Sequence, residues 1–225
     1  AGLRYADSLE AHGATHEFSE ADALAALYIE RGRLGMGSPF RVAEFVPAIV
    51  RLLLSHCRAT GERLPALRLL IVGSDTWHGS ELADLRSVAA TGTRLINSYG
   101  VAEATIDSTW LEAGATDVAG PVPVGAPFPG VSVYVLDAQG EPVPRGVPGE
   151  LCIGGAGVAA GYWNDADLTA RKFQPDPHAT IAGARLYRTG DRARWNCRGQ
   201  LELLGRSDAQ FKLRGFRIEP AEVEA

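Results

Sequence analysis

The sequence predicts an α/β chain, a parallel sheet covered by helices followed by a smaller antiparallel β unit. Three observations predict it. Apolar runs alternate with helix-length segments up to about residue 119. Short runs bounded by turn residues follow. Glycine and proline divide at the same place, with 11 Gly and 3 Pro in residues 1–119 but 15 Gly and 10 Pro in the shorter stretch 120–225.

In the first part FRVAEF (40–45) reads as a strand, and PAIVRLLLSHC (47–57) as a helix opened by Pro47, where a missing N–H costs nothing. LRLLIVG (67–73) is the next strand. A helix follows from about Ser80, a plausible N-cap, to Ala90, and then the strand TRLINSYG (93–100). Near-continuous apolar strands separated by helices belong to sheets covered on both faces. Ligands of such sheets bind beyond the carboxyl ends of the strands, which carry Glu44, Gly73-Ser74-Asp75 and Asn97-Ser98-Tyr99-Gly100. In the second part VSVYVLD, GELCIGG, RLYRTGDRARW and QLELLGR read as antiparallel strands of a small barrel. Asp137 to Gly140 and Asn196 to Gly199 are hairpin-type turns.

Composition excludes several classes. Lys plus Arg is 22 against 27 Asp plus Glu, a net charge of −5 with the signs mixed, which disfavours a nucleic-acid partner. No apolar run approaches the roughly 20 residues of a membrane span. Cys57, Cys152 and Cys197 have neither zinc-site spacing nor a disulfide framework, so a cytoplasmic setting is the expectation. The start AGLRYADSLEAHG lacks a signal peptide and an initiator Met, and the chain reads as a piece of something longer.

Four segments stand out: NSYGVAEAT (97–105), GELCIGGAGVAAGYWN (150–164 and its preceding residue), YRTGDRARW (187–195) and GRSDAQFKLRGFRIEPAEVE (205–224). Singly, each has a plain alternative. The glutamate after Tyr-Gly suits a helix dipole, and Thr189-Gly190-Asp191 suits an Asx turn. The glycines at 154, 155 and 157 would suit a phosphate loop, but no convincing helix follows them.

Together and in this order the four segments resemble the adenylation domains of nonribosomal peptide synthetases, within the adenylate-forming superfamily. The resemblance implies a flavodoxin-like α/β subdomain with the amino-acid pocket over residues 1–119, and a distorted β-barrel over 120–207. A hinge and the start of a C-terminal α+β subdomain over 208–225 complete it. The implied chemistry is attack of an amino-acid carboxylate on the α-phosphate of Mg²⁺·ATP, giving an aminoacyl-AMP. Transfer to the phosphopantetheine thiol of a carrier domain in a multidomain synthetase follows. The resemblance gives Tyr99 a stacking face for adenine, Asn97 an amide for the base edge, and Asp191 two acceptors for the ribose hydroxyls. Glu103 is the expected Mg²⁺ ligand and Arg206 a charged donor at the nucleotide, both counted as catalytic. Asp208 falls at the hinge, and Gly215 in the loop that swings in for the second step.

Departures from the pattern are Ala102 for the usual Thr and Ala160 for the frequent Arg. The phosphate loop and an α-amino-binding Asp belong before residue 1 and the catalytic lysine after residue 225, so this chain alone is expected to be inactive. Pocket positions assigned by local alignment are Glu44, Leu70, Val72, Ser98, Ile106 and Asp107. Glu44 interrupts an apolar run, and a buried carboxylate needs a positive partner. Set against pairing with Arg41 or solvent exposure, this predicts a cationic substrate, ornithine first and lysine or arginine next. An acyl- or aryl-CoA ligase and a non-catalytic docking subdomain are the rival readings.

Overall fold

The computed structural model describes residues 41–114 and 119–207, together with the backbone of 211–213 and 216–218. The Asp208 and Gly215 assignments lie outside the described residues, with most of the third expected subdomain.

Strand β1 (Val42–Phe45) leads through helix α1 (Pro47–Thr60) to β2 (Leu69–Val72), then α2 (Gly79–Val88) and β3 (Arg94–Tyr99). These three strands are parallel neighbours, with Ala43 opposite Leu70 and Leu70 opposite Leu95. In α1 the buried Val50, Leu53, Leu54 and Cys57 recur at helical spacing, so one apolar stripe holds it down. It runs three residues beyond the expected end, until Gly61 adopts φ 73° and its N–H closes on the Cys57 carbonyl. Helix α2 starts earlier than expected, with His78 rather than Ser80 at the N-cap position. The reason is Glu81, whose Oε2 accepts from the His78 N–H at 2.7 Å and so fixes the first turn two residues upstream.

After β3 the sheet changes direction. A 3₁₀ turn (Ala102–Ala104) returns the chain as antiparallel β4 (Thr109–Glu112), and β5 (Ala126–Pro127) follows at the edge. A methyl on Gly100 would fall 1.4 Å from the Ile106 carbonyl oxygen, so this return is open only to glycine.

The second sheet is antiparallel throughout. Strands β6 (Val131–Leu136), β7 (Gly149–Gly155), β9 (Arg185–Trp195) and β10 (Leu201–Arg206) lie in the order β10-β9-β7-β6. The short helix α3 (Ala166–Lys172) leads to β8 (Phe173–Pro175), which also pairs with β9. The described pairings form an open path rather than a closed barrel. Both expected hairpin turns form, the Asp137 and Asn196 side chains each accepting two backbone N–H groups. A short antiparallel pair, β11 (Phe211–Leu213) and β12 (Phe216–Ile218), ends the described chain.

One core joins the sheets. Tyr99 and Ala104 pack with Val124, Val135, Leu151, Ile153, Ala193 and Leu201. Next to this core Val124 N–H donates to the Leu201 carbonyl at 2.8 Å and Leu201 N–H to that of Gly125 at 2.7 Å. No helix among the described residues is long and apolar enough to cross a membrane.

Candidate functional site

Strand β9 carries Tyr187, Thr189 and Asp191, with an irregularity of register against β7 between Arg188 and Arg192 and Gly190 at φ 76°. Thr189 is buried, and its hydroxyl donates to the Leu151 carbonyl at 2.7 Å while accepting the Asp191 N–H at 3.0 Å. Asp191 itself is 8% exposed. Its neighbour across the β9–β10 pair is Arg206, whose Nη1 donates to Oδ1 at 2.8 Å and whose Nη2 donates to the Thr189 carbonyl at 3.0 Å. From the other sheet, the Tyr99 hydroxyl donates to Asp191 Oδ2 at 2.5 Å. Burial, and then the adjoining Asp191 charge, push the Tyr99 phenol well above its ordinary range, so it stays a donor.

These groups border a cavity of about 330 Å³ that Ser74, Asp75 and Ser98 also line. Tyr99, Asp191 and Arg206 therefore meet where the end of β3 faces β9 and β10. Asp191 has each oxygen engaged once, which leaves acceptor capacity on both for a pair of hydroxyls. Arg206 adds a fixed positive charge beside them.

Other expected residues sit differently. The Asn97 amide donates to the Val122 and Pro123 carbonyls at 3.0 and 2.9 Å, so its N–H groups brace the chain rather than read a base. Tyr99 is 5% exposed and offers little open ring face. Leu70 and Val72 have no exposed surface; they are core side chains rather than pocket walls, because both lie on the fully buried side of β2, where burial alternates with the half-buried Leu69 and Ile71. Ile106 is 68% exposed on the return turn rather than lining a pocket. Ser98 does face the cavity, its Oγ without a hydrogen-bond partner. Glu44 is exposed, which corrects the expectation of a buried carboxylate. Its carboxyl is nevertheless raised, by desolvation and then by the nearby Asp107 charge.

Glu103 does not border the cavity. It is buried on the 3₁₀ turn, and its Oε1 accepts the hydroxyls of Tyr162 at 2.8 Å and Tyr187 at 2.9 Å. Neither tyrosine was singled out from the sequence as a site residue, although Tyr187 opens the YRTGDRARW segment and Tyr162 lies in the glycine-rich one. No cluster of three His, Cys, Asp or Glu able to hold a metal occurs among the described residues. A divalent cation here would take Glu103 together with oxygens of its substrate, a donor set that suits Mg²⁺, which is held by few carboxylates.

The sequence profile described as "AMP-binding enzyme" matches residues 38–163, more than half of the chain. The chain belongs to the AMP-binding enzyme family. The chain is 45% identical over 186 residues to gramicidin S synthase 2 of Brevibacillus brevis, a match covering 82% of the chain and 4% of that protein. It thus spans a small part of the curated relatives it matches. It superposes on NpsA-ThdA, an artificially fused adenylation–PCP di-domain from Klebsiella oxytoca, with a TM-score of 0.74 and 29% identity, covering 94% of the chain and 37% of that structure. A four-domain nonribosomal peptide synthetase bound to AMP and glycine gives a TM-score of 0.69 at 33% identity, covering 87% and 14%. The α/β fold class and the resemblance to nonribosomal peptide synthetase adenylation domains are borne out.

Proposed function

We propose that this chain is the nucleotide-contacting part of an amino-acid adenylation domain, forming aminoacyl-AMP from ATP and passing the acyl group to a carrier domain's phosphopantetheine thiol. The observation that carries the reading is the Asp191 carboxylate, held by Arg206 and Tyr99 at the edge of the cavity. Asp191 accepts the ribose hydroxyls, and its preset orientation spares the site reorganisation on binding. Arg206 offsets phosphate charge. Glu103 would hold Mg²⁺, which would supply neutralisation of the polyphosphate charge. The free thiols of Cys57, Cys152 and Cys197 support a cytoplasmic setting.

For the substrate we propose a cationic amino acid, ornithine above all. Support comes from Glu44 and Asp107, two carboxylates close enough that the charge of one raises the other. Such a pair is repulsive when empty and favourable around an ammonium group. Calorimetry on the complete domain should show AMP binding about 10- to 150-fold weaker for Asp191→Asn than for the wild type, the range of a lost charge-assisted contact. Pyrophosphate exchange should favour ornithine, with Glu44→Gln losing that preference on the same scale. Unaltered AMP binding would remove Asp191 from the site, and preference for leucine or phenylalanine would overturn the substrate.

A further inference from the structure

The glycine-rich stretch 154–162, which starts no helix, makes a set of contacts that the nucleotide reading leaves unused. The turn it touches is under conformational constraint. Thr105 and Ile106, both β-branched, have φ of 61° and 66°, a region such residues rarely adopt. Three bonds cross to this turn from the stretch. Ala159 N–H donates to the Glu103 carbonyl at 2.9 Å, the Thr105 hydroxyl to the Gly157 carbonyl at 2.7 Å, and the Tyr162 hydroxyl to Glu103 Oε1 at 2.8 Å. Gly157 is pressed so close that a methyl there would lie 3.1 Å from the Ala104 carbonyl oxygen.

The tyrosines are themselves fixed. Tyr162 N–H donates to Thr169 Oγ1 of α3 at 2.9 Å, and its hydroxyl lies 3.0 Å from that of Tyr187. Phe173 packs against both rings, at centroid distances of 5.3 and 4.9 Å. Tyr187 has no exposed surface. A carboxylate oxygen that accepts two anchored hydroxyls has one orientation, and the backbone that carries it is tied to the same loop.

We infer that the 154–162 loop and Tyr187 form a clamp for the acidic turn, with Tyr162 and Tyr187 acting as positioning residues that orient Glu103 toward a divalent cation. The inference rests on the adenylation reading for the identity of that cation. It assigns the glycine-rich stretch a role in holding protein backbone rather than phosphate.

The test uses the complete domain with Tyr162→Phe, Tyr187→Phe and the double variant, with Thr105→Ala as a milder probe of the clamp. Three quantities are read: Mn²⁺ affinity by paramagnetic resonance with a non-hydrolysable ATP analogue, metal-free AMP affinity by calorimetry, and amide exchange of residues 104–106. The double variant should bind Mn²⁺ about tenfold more weakly and need about tenfold more Mg²⁺ for half-maximal pyrophosphate exchange, with AMP affinity within twofold. Exchange at Ala104, Thr105 and Ile106 should quicken about tenfold, in Thr105→Ala as well. Unchanged metal affinity with normal AMP binding overturns the orienting role, and an equal loss of AMP and metal binding reduces the tyrosines to general support. If the wild type binds no AMP, the adenylation reading fails instead, and the exchange rates alone decide whether the clamp exists: unchanged rates overturn it.

Discussion

An Asp191 carboxylate whose oxygens went unmet would cost several kcal/mol in its buried position. Arg206 and the Tyr99 hydroxyl meet one oxygen each, and the same burial leaves Tyr99 reluctant to ionise. Cys152 is a second such group. It is buried on β7, and desolvation, with the Glu150 charge next, pushes its thiol from 9.0 up to about 12. A group whose pKa rises on folding keeps its full contribution below the unfolded value and loses it as pH climbs through the folded one. Stability should therefore hold to about pH 9 and then fall, with the Cys152 share reaching about 4 kcal/mol across its window. Urea denaturation between pH 7 and 11 checks this. Cys152→Ala should flatten the first part of the fall, and an unchanged slope would exclude the thiol as its source.

At the scale of elements, α2 depends on one carboxylate with two duties. Glu81 accepts the His78 N–H and the Arg51 Nε, the latter at 2.5 Å, so it both starts α2 and ties it to α1. Glu81→Ala should cost about 1 kcal/mol, and Glu81→Gln less because an amide oxygen still accepts. Urea midpoints of the two variants decide it; equal losses would mean the charge, not the cap, matters. Although burial opposes ionisation, the Arg51 and His78 contacts hold the Glu81 carboxyl below its ordinary 4.5, so this contribution persists above that value and fades as pH falls below it.

What the sequence reveals at this scale has a physical limit. Pro47 and the spacing of Val50, Leu53 and Leu54 are local signals, and α1 formed where they indicated. The strands of the second sheet were also legible, because turn residues bound them. Their pairing was legible only at the β9–β10 hairpin, whose turn the sequence marks, since β9 joins β7 through contacts far apart in sequence. Within the site, Asp191 and Arg206 lay in legible motifs and do come together. Leu70 and Val72 could not be told from pocket residues, because LLIV is apolar at every position although only alternate side chains are fully buried. The use of the Asn97 amide and the two phenols on Glu103 depends on segments 25 to 84 residues away.

For the molecule as a whole, the junction of the two sheets is a point of tight constraint. Gly125 has φ 79°, and a methyl there would lie 2.0 Å from the Trp110 carbonyl oxygen, while the Gly125 carbonyl accepts from Leu201. Gly125→Ala should therefore destabilise by about 2 kcal/mol or more, a fall in Tm on the order of 5 °C for a chain of this length. Gly92→Ala is the control, since φ is similar at 85° but the added methyl meets nothing within 4 Å. Calorimetric scans of both should show the larger loss at Gly125; equal losses would trace the effect to φ alone.

That shared core also bears on how such chains can be recombined. Tyr99 comes from the first sheet and Ala104 from the 3₁₀ turn after it, while Val135, Leu151, Ile153, Ala193 and Leu201 come from the second sheet. A chimera that joined two relatives between residues 114 and 119 would leave each half to pack against a surface selected with a different partner. Exchanging the short return segment 101–107 instead would move the acidic turn and Asp107 together while keeping most of that packing from one parent. Transplants of this kind would be limited less by the sheets than by the fit of the incoming turn to the loop that grips it.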